Sequence, residues 1–352
     1  MSGANVQPFA RKPGQRMIRT RFFSARVNVH VLLFAVVTLL ILVALATFAM
    51  TLGSYRIPFV DVARAVVGEG SADQEFIVRT LRLPRVFSAI LVGASLAMSG
   101  AIFQGLVRNA LVSPDIIGIE TGASLLAVFW IVTGQSSALL PLAAFVGAML
   151  TAVVIYLLSW KGGISANRLI LVGIGIGATL SAATTLLIVR YPIEVVRPAV
   201  VWQMGSLYGS DWGEVKVLLA SVSVLAPAAV ILTWPLRTMQ LGDDVTRGLG
   251  LPLERTRLGL IVIACGLCAV ATAMAGPIGF VALMVPHMAR MLAGPLSGSV
   301  MLFSAVLGGC FLLLADIVAQ HMLPVTLPTG VITAAVGAPY FLFLLYRFNT
   351  RM

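Results

Sequence analysis

The chain has 352 residues, of which 59% are hydrophobic and only 11% charged. A soluble domain carries about 25% charged residues, so an ordinary soluble globular protein is excluded, and three cysteines at this length exclude a disulfide scaffold. What remains is a polytopic membrane protein, oriented by 24 Lys+Arg set against 13 Asp+Glu.

A helix needs about 20 apolar residues to cross a hydrocarbon core roughly 30 Å thick. Reading the charge-poor stretches against that length predicts a basic tail at 1–28 and a ten-span domain at 29–347. The expected spans are 29–52, 86–107, 116–133, 138–160, 169–189, 217–236, 258–276, 278–293, 299–319 and 330–347. Thr133-Gly134-Gln135-Ser136-Ser137 separates the third from the fourth, and Gly276-Pro277 the seventh from the eighth. The runs are continuously apolar, without the two-residue alternation of a membrane barrel, and a helix satisfies its own backbone in lipid. The expected fold class is therefore all-α and polytopic, with about ten transmembrane helices.

Arg11, Lys12, Arg16, Arg19, Arg21 and Arg26 precede the first span without an accompanying acid. The positive-inside rule puts that end in the cytoplasm, and an even span count puts the other end there too. On this topology 16 of the 24 Lys+Arg are cytoplasmic. The acids expected on that side are Asp115, Glu120, Asp243, Asp244 and Glu254. Arg79, Arg82 and Arg85 run against the trend at the outer entrance to the second span. The first apolar stretch is too long for the core of a signal peptide and reads as a span.

The longest inner connection after the tail is 237–257. Asp243-Asp244 resembles a helix start, with acids at the positive end of the dipole. Gly248 and Gly250 would stop that helix, and Pro252 suits the start of a second short one. Periodicity alone leaves both a solvated connector and a docking element for a cytoplasmic partner open.

Several residues within the spans invite a chemical reading. Gly173, Gly175 and Gly177 imitate a phosphate loop, but they lie in an apolar span with no preceding strand, where small residues let helices approach. Asp316 lies near the outer end of the ninth span. A charge at mid-bilayer costs about 2.5–3.5 kcal/mol on insertion scales, so a partner is expected, and with no other acid at membrane depth a proton relay is not. Cys265 and Cys268 form a CxxC inside an apolar span with no second pair, which is a packing feature rather than a metal site. His287 reads as structural. The stretches 97–103 and 273–278 share a pattern in oppositely directed spans, a hint of an inverted repeat.

A set of ordered motifs is more specific than any of these. Arg82-Leu83-Pro84-Arg85 leads through Gly93-Ala94-Ser95 to Ser99-Gly100-Ala101-Ile102-Phe103-Gln104, followed by Arg108-Asn109-Ala110-Leu111 and Ser113-Pro114-Asp115. Later come Leu241-Gly242-Asp243-Asp244, Ala275-Gly276-Pro277-Ile278-Gly279-Phe280, Pro286-His287-Met288-Ala289-Arg290, Ala315-Asp316, Leu327-Pro328-Thr329-Gly330 and Gly337-Ala338-Pro339. Across nearly the whole chain this resembles the permease subunits of ABC importers for ferric siderophores, haem and cobalamin. Its nearest likeness is to the ferric catecholate-siderophore permeases, and that family also has ten spans with both ends inside.

The resemblance implies a transport subunit of the bacterial inner membrane, not an enzyme, with no cofactor or metal of its own and no nucleic-acid partner. Its partners would be two cytoplasmic subunits that hydrolyse ATP with Mg, a second and non-identical permease, a substrate-binding protein outside, and the ferric siderophore as cargo. No phosphate-loop motif G-x-x-x-x-G-K-[ST] occurs in the chain. By the same resemblance, the loop at 237–257 couples to the ATPase through Gly242, Asp243, Asp244 and Gly248. Asn109 and Leu111 contribute to a cytoplasmic gate, with Ala110 where the family has proline, and Ser165, Ala166 and Asn167 form its second element. Gly173, Gly175 and Gly177 line the pathway. Arg56, Arg64, Arg190 and Arg197 are candidates for docking the binding protein, while Gln320 stands where several relatives carry arginine. An ion-coupled secondary transporter and a membrane-embedded enzyme are the readings from other classes.

Overall fold

The computed structural model describes residues 15–19 and 24–349. Of the expected basic tail, Arg11, Lys12 and Arg21 lie outside the described residues. Gln15–Arg19 (β1) and Ser24–Asn28 (β2) pair antiparallel, with Gln15 opposite Asn28.

Every element that follows the hairpin among the described residues is a helix, apart from an isolated bridge between Trp160 and Ile164. The helices are α1 (Val29–Thr51), α2 (Phe59–Val67), α3 (Ala72–Val107), α4 (Pro114–Ile117), α5 (Ile119–Val132), α6 (Ser137–Ser159) and α7 (Ala166–Arg190). They continue as α8 (Ile193–Trp202), α9 (Trp212–Met239), α10 (Asp243–Gly248), α11 (Leu253–Ala275), α12 (Val281–Ala293), α13 (Gly298–Met322) and α14 (Thr329–Asn349). Eight of them, α1, α3, α6, α7, α9, α11, α13 and α14, are long and apolar enough to cross a membrane, and α5 and α12 are shorter apolar helices.

Local chemistry sets the helix ends. Ser165, Asp211 and Ser297 cap α7, α9 and α13 by accepting the backbone N–H three residues on. The chain leaves helix at Ala275, turns through Gly276 at φ +71° and Pro277, and re-enters at Val281. Phe280 starts α12 in the left-handed region at φ +67°, a conformation non-glycine residues rarely adopt. The second span is longer than its apolar run. The chain stays helical back to Ala72 through a π-helical turn at Phe76–Arg82, and Arg82 closes it by donating to the carbonyls of Met50 and Tyr55.

The core runs along α3, α11 and α13, whose apolar windows are 78%, 72% and 67% buried, against 11% for α1 and 17% for α7 and α9. Gly93 of α3 and Gly308 of α13 lie backbone to backbone, so a Cβ on either would fall about 2 Å from the other's carbonyl oxygen. Ser99 donates across to the carbonyl of Ala264 at 2.7 Å, locking α3 to α11. The outer helices keep apolar faces exposed, among them Leu171, Ile174 and Leu186 of α7 and Val224, Ile231 and Trp234 of α9. In a membrane chain such faces meet lipid or another subunit.

Two expectations change here. The inner connection carries one short helix, not two, because Pro252 opens the long α11 and only 240–252 lies between long helices. Glu120 is not a cytoplasmic loop acid. It is 5% exposed, in the first turn of α5, and the Cys268 thiol donates to its Oε1 at 3.8 Å. Cys268 stands fifteen residues into α11, about 22 Å along that helix. The loop after α3 therefore folds back among the spans, and a second acid besides Asp316 sits at membrane depth.

Candidate functional site

The end of the molecule that carries α10 gathers the residues expected to couple and to gate. Gly242 precedes α10 with φ +118°, a backbone only glycine enters without strain. The helix runs Asp243–Gly248 and is tied down by Thr246, whose hydroxyl donates to the carbonyls of Gly242 and Thr238 at 2.6 and 3.2 Å. Its two acids point different ways. The Asp244 side chain is fully exposed. Asp243 turns inward and takes a two-pronged contact from Nη2 of Arg257 at 2.8 and 2.9 Å, plus a longer one from Arg108 at 3.4 Å. Arg257 also donates to Glu254 at 3.1 Å.

Arg108 ends α3 in the left-handed region at φ +58° and donates to the carbonyl of Met239 at the end of α9. The next residue, Asn109, closes a small turn in which its Oδ1 accepts the N–H of Leu111 at 2.9 Å. This Asx turn shapes the loop even with Ala110 in the middle. The loop then climbs into α4, which ends at Gly118 with φ +92°.

The turn between α6 and α7 holds the second expected gate element. Trp160 and Ile164 form an isolated antiparallel bridge. Ser165 caps α7, and Arg168 donates back to the Gly163 carbonyl at 2.7 Å. Asn167 is exposed and Ala166 half-buried. Among the described residues, no hydrogen bond joins Ser165, Ala166 or Asn167 to Asn109 or Leu111.

The three glycines of α7 divide. Gly173 and Gly177 face the short α4, where a Cβ would lie 2.5 Å from the Ile117 carbonyl oxygen and 3.3 Å from Gly118, respectively. Gly175 points elsewhere, with nothing within 4 Å of its Cβ position. Two of the three are thus close-packing positions, and one looks onto open space beside the exposed Ile174.

At the opposite end, Arg56, Arg64, Arg190 and Arg197 are all exposed. Arg64 sits 3.6 Å from Asp61 in its own helix, and Arg197 borders a cavity of about 490 Å³ together with Trp202, Tyr208 and Glu214. The strongest polar feature there supplies the partner that sequence reasoning expected for Asp316 but did not name. Arg85 grips Asp316 with two parallel hydrogen bonds, Thr329 donates to the same carboxylate at 2.7 Å, and the Tyr208 ring lies 6.0 Å from the guanidinium carbon. The early spacing Arg-Leu-Pro-Arg was a usable signal, but nothing in a single chain names its partner 231 residues away.

Residues 39–347 match the FecCD transport family. The chain belongs to that family. It is 42% identical over 84% of its length, and 89% of the relative's, to a protein named "Probable siderophore transport system permease protein YfhA" from Bacillus subtilis. It is 38% identical over 84% of its length, and 90% of the relative's, to the "Ferric enterobactin transport system permease protein FepG" of Escherichia coli. A relative from Halobacterium salinarum named for cobalamin import matches at 39% identity over 77% of this chain and 73% of that one. The fold superposes with a TM-score of 0.81 on a solved structure titled an inward-facing conformation of a putative metal-chelate type ABC transporter, at 30% identity over 89% of this chain and 98% of the other. This FecCD chain is accordingly a helical, multi-pass permease of the ABC-importer type that handles iron siderophores and related chelates.

Proposed function

We propose that this chain is one of two permease subunits of a binding-protein-dependent importer that moves a ferric siderophore of the catecholate type across the bacterial inner membrane. Two cytoplasmic subunits hydrolyse ATP, with Mg, and a substrate-binding protein delivers the cargo from outside. The chain crosses ten times, with α5 and α12 completing the eight longer helices and both termini in the cytoplasm. The second permease is a different polypeptide, the reading suggested by Gln320 in place of an arginine. Haem and cobalamin are the alternative cargoes within the same family.

The observation that carries this reading is the family match spanning 39–347, supported by a relative named for ferric enterobactin. The residue roles follow the same reading. The connector around Gly242, Asp243, Asp244 and Gly248 docks into the ATPase, and rigid-body closure of that subunit tilts the spans. Asn109 and Leu111 with Ser165, Ala166 and Asn167 form the cytoplasmic gate. Gly175 borders the pathway, and Gly173 and Gly177 hold the wall behind it. Arg56, Arg64, Arg190 and Arg197 meet acids on the binding protein.

Glu120 removes one argument against an ion-driven carrier, namely that Asp316 stands alone at membrane depth. The test that separates the classes is uptake by a deletion strain carrying this chain, with ferric enterobactin, a ferric hydroxamate and cobalamin as probes. Uptake of ferric enterobactin that stops when the partner ATPase is made hydrolysis-dead supports the proposal. Uptake that persists without hydrolysis overturns the importer reading, and uptake of another probe alone overturns the catecholate assignment.

A further inference from the structure

We propose that Asp243 is the positioning residue through which the coupling helix controls both gate loops, a reading that rests on the coupling and gate assignments above. One carboxylate is shared by two arginines that belong to different parts of the fold. Arg257, only 14% exposed, comes from the first turns of α11, and Arg108 from the end of α3. Each arginine leads to one gate loop.

The first branch is short. Arg108 immediately precedes the Asn109–Leu111 turn. Its left-handed backbone fixes the direction in which the side chain leaves α3, and its guanidinium bridges Asp243 and the Met239 carbonyl. A displacement of α10 therefore acts on the residue next to the gate turn. The second branch runs through Arg257 to Glu254. The Glu254 carboxylate lies over Gly163, where a Cβ would come within 3.0 Å of its Oε1. Gly163 is held from the other side by Arg168, whose backbone N–H completes the cap on Ser165.

The chain of contacts thus runs α10, Arg257, Glu254, the α6–α7 turn. Asp244, one residue along, takes no part in it. Its only charged neighbour among the described residues is Arg247 on the same helix, at 3.7 Å. The two neighbouring acids have separate tasks. Asp244 faces outward to whatever α10 docks against, and Asp243 transmits inward. A coupling free energy carried by such a link is reciprocal, so the same contacts would report gate closure back to the ATPase.

The test uses the complete importer, with both permeases, the ATPase pair and the binding protein, in lipid vesicles. Spin labels are placed at Ala110 and at Lys161, each measured against a label at Leu302 on α13. The native cysteines Cys265, Cys268 and Cys310 are buried and do not compete for labelling. In the unsubstituted protein, trapping with ATP and vanadate is expected to shift both distances.

In importer assembled with Asp243→Asn, the shift is expected to be lost at both labels. Ferric enterobactin moved per ATP falls about tenfold, within the usual range of coupling between sites. Asp243→Glu restores both. Arg108→Gln, an exposed substitution that spares the rest of the network, is expected to abolish the shift at the Ala110 label alone, and it decides the matter if Asp243→Asn does not assemble. A purely structural role would lower transport and hydrolysis in equal proportion, and that result overturns the proposal, as do labels that move normally in Asp243→Asn. Failure of the underlying coupling assignment has a different signature, namely Asp244→Arg binding and stimulating the ATPase as the unsubstituted chain does.

Discussion

Nε and Nη2 of Arg85 each donate to one carboxylate oxygen of Asp316 at 2.8 Å, joining the second and ninth expected spans through a pair whose side chains are 19% and 7% exposed. The planar fork of the guanidinium matches the carboxylate, and Thr329 at the start of α14 adds a third bond. The second expected span is thereby fixed, 231 residues away in sequence, to the last two helices at one end of the bundle.

Removing one member of such a pair leaves a buried charge without its counter-charge, at a cost of about 3–5 kcal/mol. Asp316→Ala is therefore expected to lower the thermal midpoint of the detergent-solubilised chain sharply and reduce the folded yield. Arg85→Met with Asp316→Leu, which removes both charges, is expected to recover most of the loss. Measuring both midpoints by tryptophan fluorescence checks this. A double variant as unstable as the single one would show that the side-chain shapes, and not the charges, hold the site.

The α7 glycines give a prediction that separates wall from pathway. Gly173→Ala places a Cβ 2.5 Å from the Ile117 carbonyl oxygen, an overpacking expected to cost about 1–3 kcal/mol. Gly175→Leu enters open space and is expected to leave the thermal midpoint within about 0.5 kcal/mol of the parent, as surface substitutions do. Uptake should respond in the reverse manner, with Gly175→Leu slowing passage of a bulky ligand although the protein is folded. A Gly175→Leu protein with unaltered uptake would take Gly175 off the pathway.

Much of this molecule is written in its apolar runs. The long apolar runs and the break at Gly276-Pro277 are legible because lipid leaves a backbone no alternative to helix. What stayed hidden has a common cause, which is polar residues whose environment is supplied from elsewhere in the chain. Glu75, Arg79 and Arg82 make the helical extension back to Ala72 look like a loop. Ser113, Asp115 and Glu120 make the segment after α3 look like a cytoplasmic connector, whereas α4 packs on Gly173 and Gly177 and Glu120 is buried against Cys268. The site is legible to the same degree. Motif order picks out the loops proposed to couple and to gate, but spacing does not distinguish an inward acid from an outward one, and that distinction separates Asp243 from Asp244.

That distinction has its own consequence for the ATPase. The Asp244 carboxylate is fully solvent-exposed and its pairing with Arg247 is confined to one helical turn, so it contributes little to folding. Asp244→Arg is expected to leave the amount and midpoint of folded permease unchanged and to lower ligand-stimulated ATP hydrolysis several-fold, through like-charge repulsion at the docking face. Co-purification of the ATPase subunits with the variant permease, read beside the hydrolysis rate, checks it.

The exposed arginines at the other end are individually weak. A solvent-exposed ion pair contributes about 0.2–1 kcal/mol, so Arg56→Ala, Arg64→Ala, Arg190→Ala and Arg197→Ala are each expected to change the half-saturating concentration of binding protein by less than about fivefold. Their combined effect is larger and falls on association, because rim charges mainly steer encounter. The quadruple variant should bind the loaded binding protein with a slower on-rate, a nearly unchanged off-rate and a flattened dependence on ionic strength between low and physiological salt, where the Debye length shrinks to about 8 Å. Surface plasmon resonance at several salt concentrations reads all three. A quadruple variant that keeps the parent's salt dependence would move the docking charges to other residues, with the outer rim around Arg79 and Arg82 as the next place to look.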